Sequence, residues 1–372
     1  MKLPPAWKVR RELHRIREQI AQAFLGRLYD PPRKLFYDMI FPRQFAIRPG
    51  QLAYGEKLAV VVLFQPSGLA RSTFLTFDHL ISQGYTPVAV SNAPLGDTDA
   101  RAIAPRAALI VERPNAGYDF GAYRDGLRVL ASRGVQSHRL VLLNDSTWFP
   151  LRDTDDTLAR MEGLGADFAG HIFKTESAQK RGLDHVESHL LMFSERAQRS
   201  EAYRAFWADY VMSDARVWTI ARGEKGLTQR MLGAGLKVRA LLDRERLVQI
   251  LERLDDPGLL TALAETVHHR EDAEAFCSDL MRAAQAGTPW RGAFLGWVDR
   301  ELQSSLQHLL SVTFVASAMR HGGLGFVKKA RDRRHHLARM RVLELEAAGA
   351  IAPLHGDVRA EITSAVEGWS LG

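Results

Sequence analysis

Two short stretches hold most of the residues able to do chemistry. One is Arg113-Pro-Asn-Ala-Gly-Tyr-Asp-Phe-Gly-Ala-Tyr123, a turn of glycines and polar residues directly after an apolar run. The other is Arg139-Leu-Val-Leu-Leu-Asn-Asp-Ser146, a buried-type strand ending abruptly in Asn-Asp-Ser. In an open α/β sheet, ligands bind beyond the carboxyl ends of the strands, where loops aim polar side chains at them. Two such ends close together in sequence predict one site shared by neighbouring strands. A single carboxylate, Asp145, flanked by Asn144 and Ser146, suits a hard divalent cation carrying a diphosphate. The combination points to the chemistry of sugar nucleotides.

Within the turn, Gly117 and Gly121 permit close backbone approach to a ligand and a tight entry into the next helix. Asp119 sits near that helix's N-terminus, where it either caps the helix or meets the ligand alongside Asn115. The order Gly-x-Gly-x-x-Gly is absent, as is any Gly-x4-Gly-Lys-Ser/Thr loop, so neither common nucleotide fingerprint applies. Asp145 follows four apolar residues, and a carboxylate buried there unpaired is expensive. A metal ion or a helix N-terminus must compensate it. Glu224 heads a further helix, either as an acid in its first turn or as a general base. His185 and His189 lie four apart, a zinc spacing on a helix. Their surroundings read as loop then strand, which sets zinc aside.

The elements that must position these residues follow the texture of an α/β protein. Leu58-Ala-Val-Val-Val-Leu-Phe64 reads as a strand buried on both faces. Pro87–Ser91, Ala107–Val111 and Leu140–Leu143 are further strands, with helices over Phe74–Ser82 and Gly121–Arg133. Asp167–Phe173 and Ser188–Phe193 extend the series, and Tyr203–Tyr210 is an aromatic-rich helix. Strand and helix alternating at this spacing predict right-handed crossovers and a mainly parallel sheet. Strand signals fade beyond about residue 245. Leu259–Ala284, Ala293–Arg320 and Val327–Ala348 carry helical periodicity, and the run from Lys328 to His336 reads as a solvated basic helix face. The expected organisation is a basic helical arm over 1–56, a catalytic domain over 57–245 and a helical extension over 246–372.

Composition narrows the classes. An apolar share of 46% with 25% charged residues fits a soluble globular protein. The single cysteine, Cys277, leaves no internal disulfide and no cysteine metal cluster, and fits a reducing cytoplasmic setting. No segment reaches the roughly 18 apolar residues of a bilayer span, and the start lacks a signal-peptide core. The net charge of +7 resides in residues 1–50, where eleven Lys or Arg face four Asp or Glu. There Leu13, Ile16, Ile20, Phe24 and Leu28 form one helical face beside Arg10, Arg11, Arg15 and Arg17, and Pro31-Pro32 is expected to stop the helix. Such an arm either lies on an anionic membrane or packs on the catalytic domain. Its aromatics cluster rather than interleave with the basic residues, which argues against a nucleic-acid partner.

The pairing of Asn-x-Gly-x-Asp-x-Gly-Ala-Tyr at 115–123 with Leu-Asn-Asp-Ser-x-x-x-Pro-Leu at 143–151 resembles the rhamnan synthesis protein F family. His185-x-x-Ser188-His189, Phe206-Trp207 and Gly223-Glu224-Lys-Gly-Leu227-Thr228, with Gly235 after it, extend the resemblance over roughly 57–245. It implies a GT-A-like (Rossmann-like) fold and a glycosyltransferase acting on cell-surface polysaccharide. On that resemblance Asp145 holds Mg²⁺ or Mn²⁺ against the diphosphate of a nucleotide-sugar donor. Ser91, Asn92, Arg113, Asn115, Gly117, Asp119, Gly121, Asn144 and Ser146 line the donor site. Glu224 becomes the base that deprotonates the acceptor hydroxyl, with Asp184 in reserve. Trp148, His185 and His189 face a glycan or lipid-linked acceptor. Two departures stand out: one carboxylate where Asp-x-Asp is common, and Phe149 where glycine is frequent before Pro150. The reduced metal motif keeps a non-catalytic scaffold as the alternative.

Overall fold

A computed structural model of the chain describes residues 25–175, 184–303 and 309–369. Its centre is one sheet. The first five strands are β1 (Ala46–Pro49), β2 (Lys57–Leu63), β3 (Thr86–Ser91), β4 (Leu109–Glu112) and β5 (Arg139–Asn144). Then follow β6 (Thr147–Trp148), β7 (Phe168–Lys174), β8 (His185–Val186), β9 (Leu190–Ser194), β10 (Val238–Leu242) and β11 (Val327–Lys328). The sheet order is β1-β4-β3-β2-β5-β9-β7-β10, with β8 on β7, while β6 and β11 make a separate ribbon. β4, β3, β2 and β5 are mutually parallel, as are β7 and β10. β9 is inserted antiparallel between β5 and β7, so those two run the same way. The expected α/β class and mainly parallel sheet are therefore what the chain forms.

Burial explains the texture of the central strands. Every residue from Leu58 to Leu63 is buried, because both faces of β2 are covered. Leu58, Val60 and Val62 pack with Phe120, Ala122 and Tyr123 of the helix Tyr118–Ser132. Ala59, Val61 and Leu63 face the opposite layer, which includes Leu247, Leu251, Phe294, Phe314, Val342 and Ile362 from beyond residue 244. The C-terminal helices thus share a continuous core with the sheet.

Several expectations change. Pro31 and Pro32 do not stop a helix; they open one, Asp30–Ile40. The first-turn N–H groups of a helix have no intrahelical acceptor, so proline loses nothing there. The stripe Leu13–Phe24 lies outside the described residues. Leu259–Ala284 is two helices, Asp256–Ala264 and Glu271–Gln285, separated where Val267 N donates to Thr313 O. Val327–Lys328 is a strand; the helix begins at Arg333, where the Asp332 side chain accepts the N–H groups of Arg334 and His335. β1 and β10 were not expected. In β10 Arg239 is exposed within an otherwise apolar run, which hides the strand pattern.

Candidate active site

The predicted residues converge at the carboxyl edge of the parallel strands. β5 ends in Asn144, whose Nδ2 donates to Asp119 Oδ2 at 2.9 Å. Asp119 lies in the first turn of the helix that follows β4, and Phe120 N donates to its Oδ1. β9 runs antiparallel, so the residue that precedes it, Ser188, arrives at the same edge. Its Oγ lies 3.2 Å from Asp119 Oδ2 and 2.6 Å from Glu224 Oε1. His185 Nε2 of β8 is 3.5 Å from Glu224 Oε2. Below them the buried Tyr123 hydroxyl donates to Ser188 O at 3.1 Å.

Local backbone makes this geometry. Gly117 has φ +74°, and Gly121 packs so tightly that a Cβ would lie 2.1 Å from Ala116 O. Both glycines serve the strand–turn–helix connection itself. Glu224 sits in a widened turn, Ile220–Lys225, that feeds the helix Gly226–Gly233. Thr228 Oγ1 donates to Glu224 O and accepts from Val186 N, fastening that helix to β8. Arg222 anchors the turn from outside, donating to Asp30 Oδ2 and Gly26 O.

Electrostatics follow from burial. Desolvation, and then the charge of Glu224, push Asp119 up to about 6. Glu224 is raised as well, first by burial. Two carboxyls joined by one hydroxyl suit proton exchange near neutral pH, the property a general base needs.

Asp145 lies at the end of β5, half-buried. Its Oδ2 accepts from Phe64 N at 2.8 Å and Gln65 Nε2 at 3.0 Å, so the loop after β2 compensates its charge. Oδ1 takes no part in those bonds. Among the described residues no three His, Cys, Asp or Glu gather as metal ligands. A divalent cation here would fit only as a shared ion, held by Asp145 and completed by phosphate oxygens and water, as Mg²⁺ commonly is.

Other predicted residues take different places. Arg113 is fully buried: its guanidinium donates to Asp125 Oδ2, Asn92 Oδ1, Tyr37 OH and Ala116 O. These bonds tie β4 to the helix Tyr118–Ser132 and to Tyr37. Asn92 is tied to Arg113 and to Tyr118 O, and the Ser91 hydroxyl is turned onto Ala93. Both are buried by that turn. Trp148 is likewise buried, its indole donating to Glu361 Oε2. His189 packs on Phe326 and His171 at 4.1 and 5.8 Å between ring centroids. Asn115 is exposed at the rim. Ser146 N and Oγ bind Asn144 Oδ1. Asp184 O accepts from Gln229 Nε2 at 2.6 Å.

Sequence reading missed two residues from the C-terminal segment. β11 pairs with β6 just after Asp145, in register Val327↔Trp148 and Lys328↔Thr147. Lys328 Nζ reaches Glu187 Oε2 at 2.7 Å, and Lys329 lines a small recess with Asn144, Asp145, Thr73 and Thr147. The basic run was visible in sequence, but only the strand pairing takes these two lysines off the solvent face.

With this geometry in hand, comparison with known proteins becomes informative. Residues 88–256 match the rhamnan synthesis protein F family. The resemblance carried by the motifs at 115–123 and 143–151 therefore holds over a span that includes Asp119, Asp145, Ser188 and Glu224. The rhamnan synthesis protein F region ends beyond β10, in the helix Arg244–Glu252. "Uncharacterized protein y4gN" of Sinorhizobium fredii is 29% identical over 251 residues, which are 67% of this chain and 64% of that protein. The match thus spans less than two thirds of that relative. Among solved structures, the mannosyltransferase PcManGT from Pyrobaculum calidifontis, in complex with GDP-Man and Mn²⁺, is 12% identical. That likeness covers 77% of this chain and 91% of that one, with a TM-score of 0.33. Core-mannan synthase A from Aspergillus fumigatus, in an Mn/GDP form, is 11% identical over 51% of this chain and 74% of its own, with a TM-score of 0.30.

Proposed function

We propose that this chain is a glycosyltransferase that moves a sugar from a nucleotide-activated donor to a hydroxyl of a glycan or lipid-linked acceptor. The observation that carries the reading is the Asp119–Ser188–Glu224 cluster beside Asn144 and Asp145, inside the rhamnan synthesis protein F match. The donor's diphosphate lies at the end of β5 in a GT-A-like arrangement, and Asp145 would hold a divalent cation whose charge offsets that of the leaving group. Glu224 takes the acceptor's hydroxyl proton as the acceptor oxygen bonds to the anomeric carbon. The bond from that carbon to the phosphate oxygen breaks, and nucleoside diphosphate leaves with the electron pair. A single displacement of this kind inverts the anomeric centre. The family name makes L-rhamnose the first sugar to try.

Membrane association is part of the proposal. Among the described residues no helix is long and apolar enough to cross a membrane. Yet Leu28, Tyr29, Leu35, Phe36 and Met39 are all exposed, from 56% to 79%, on the N-terminal helical segment. Arg27 and Arg43, both exposed, lie just before and just after these residues in sequence. An apolar face with arginines next to it in the chain suits an anionic lipid surface, where a lipid-linked acceptor is found.

The test is a thermal-shift screen of nucleotide sugars with Mg²⁺ or Mn²⁺, followed by transfer assays on the wild type and Glu224→Gln. A ligand that binds only the folded state raises the melting temperature with its affinity. We expect one nucleotide class to stabilise the protein, and Glu224→Gln to keep that shift while losing turnover. Stabilisation by no nucleotide sugar, or full turnover in Glu224→Gln, would defeat the reading.

A further inference from the structure

The helix Asp30–Ile40 adds little to the core. Tyr37 is its one buried apolar side chain, while Leu35, Phe36 and Met39 are exposed. Its bonds instead reach the two turns that carry the candidate acids. Arg222, two residues before Glu224, donates from Nη1 to Asp30 Oδ2 at 2.9 Å and from Nη2 to Gly26 O at 2.5 Å. Arg33 pairs with Asp214 Oδ2 at 2.5 Å. Asp214 Oδ1 in turn accepts from Gly117 N, two residues before Asp119, at 2.9 Å. The loop over 211–214 joins the two arms, because Val211 O also accepts from Arg222.

Both turns need holding. Gly117 and Tyr118 have φ of +74° and +51°, and a left-handed backbone at tyrosine persists only where its surroundings fix it. Glu224 sits in the widened turn Ile220–Lys225, a helical form that recurs at functional sites. The two turns also meet directly. A Cβ on Gly223 would lie 2.6 Å from Phe120 Cδ2, so the residues beside the two acids are in contact. Ser188 Oγ spans the carboxylates only at this separation, 3.2 Å from one and 2.6 Å from the other. A misplacement of about 1 Å in such a constellation can cost roughly a hundredfold in rate.

We propose that the helix Asp30–Ile40 is a brace that fixes the spacing of Asp119 and Glu224, with Arg222 and Asp214 as its positioning residues. The role of Glu224 as base rests on the transferase reading, whereas the spacing of the pair does not. The brace gives a segment that precedes the family match a part in the site.

The full chain carrying Arg222→Lys, Asp214→Ala or Arg33→Met is compared with wild type in two assays. The first follows release of nucleoside diphosphate from a panel of UDP-, GDP- and dTDP-sugars with Mn²⁺. The second needs no donor: unfolding midpoints from pH 4 to pH 7, whose fall reports the raised pKa of Asp119. Arg222→Lys keeps the charge but not the fork that holds two acceptors. In each variant kcat should drop about tenfold or more, with KM for donor within about twofold of wild type. Moving Glu224 away from Asp119 brings the folded pKa of Asp119 back toward its unfolded value, so the fall in midpoint becomes shallower. A loss of stability alone shifts the whole curve and leaves its slope. His185, Glu187, Lys174 and Lys328 act on Glu224, and Tyr123 and Tyr210 lie near Asp119; all stay in place, so a changed slope reports distance. Arg33→Met alters only a half-buried side chain and tests the brace if Arg222→Lys does not fold. Wild-type kcat and slope in the folded variants overturn the proposal, as does a raised KM with kcat and slope unchanged. A flattened slope in the variants, with no nucleotide sugar turned over by wild type, keeps the brace and removes the transferase reading. Turnover by wild type and variants alike, with equal slopes, keeps that reading and removes the brace.

Discussion

Asp119 and Glu224 are bridged by a single hydroxyl, with Ser188 Oγ at 3.2 Å from one carboxylate and 2.6 Å from the other. A hydroxyl carries one hydrogen, so it cannot donate to both. With Asp119 protonated, that acid donates to Ser188 and Ser188 donates to Glu224, and every contact is satisfied. With both ionised, one contact sets oxygen lone pairs against each other. Burial first and the charge of Glu224 second push Asp119 up to about 6, against the pull of the hydrogen bonds from Phe120 N, Ser188 and Asn144.

The pH dependence of stability follows. Asp119 has a folded pKa above its unfolded value of about 3.9, so its contribution is present in full below that value. It is lost as pH rises through about 6. Unfolding midpoints measured from pH 4 to pH 7 should therefore fall across that window for wild type, and the slope should flatten in Asp119→Asn. An identical slope in both would assign the proton to another group.

Glu224→Gln should lower turnover by roughly 10²–10⁴, the contribution typical of a positioned general base. Steady-state kinetics with the identified donor should show KM for donor little changed. The amide still accepts from Ser188, so folding should survive.

Asp145→Ala has a structural cost beyond any loss of donor binding. It removes the acceptor of the exposed Phe64 N and one of the two acceptors of Gln65 Nε2, which predicts about 0.5–1.5 kcal/mol of destabilisation in denaturant titration. Asp145→Asn keeps an acceptor oxygen and should recover much of that stability while losing any response to Mn²⁺.

Asp38 is the anchor of the N-terminal helix. Burial raises its pKa, but Arg124, Lys34 and Arg128 outweigh that and hold it down to about 2. Arg124 is buried, and its guanidinium gives two bonds to Asp38 at 2.8 Å. Asp38→Asn strands that cation and should cost roughly 3 kcal/mol, read as a lowered urea midpoint.

The outward face of the same helix should do the reverse. Replacing Leu35, Phe36 and Met39 together by serine touches only exposed side chains, so the melting temperature should hold. Sedimentation with phosphatidylglycerol vesicles should drop sharply. Undiminished vesicle binding would remove this face from the membrane reading.

How much of this was legible in the sequence depended on range. β2 to β5 and the helix Tyr118–Ser132 announce themselves, because both-sided burial demands continuous apolar runs and the turns between them demand glycine. The strand-end position of Asn144 and Asp145 followed from the same local rule. Ser188 was visible only as part of a motif, since its role depends on β9 entering the sheet antiparallel. That Asp125, Asn92 and Tyr37 close around Arg113 could not be read from the sequence, since the contacts join three separate elements.

The sequence by itself determined the α/β alternation, the polar strand ends and the family motifs, all set by periodicity and neighbouring residues. Tertiary structure alone decided which carboxylates meet across Ser188 and which lysines leave the solvent face. Glu224 lies more than a hundred residues from Asp119, and Lys329 nearly two hundred from Asp145. Contacts of that separation are fixed by sheet order and strand pairing, and no local preference encodes them.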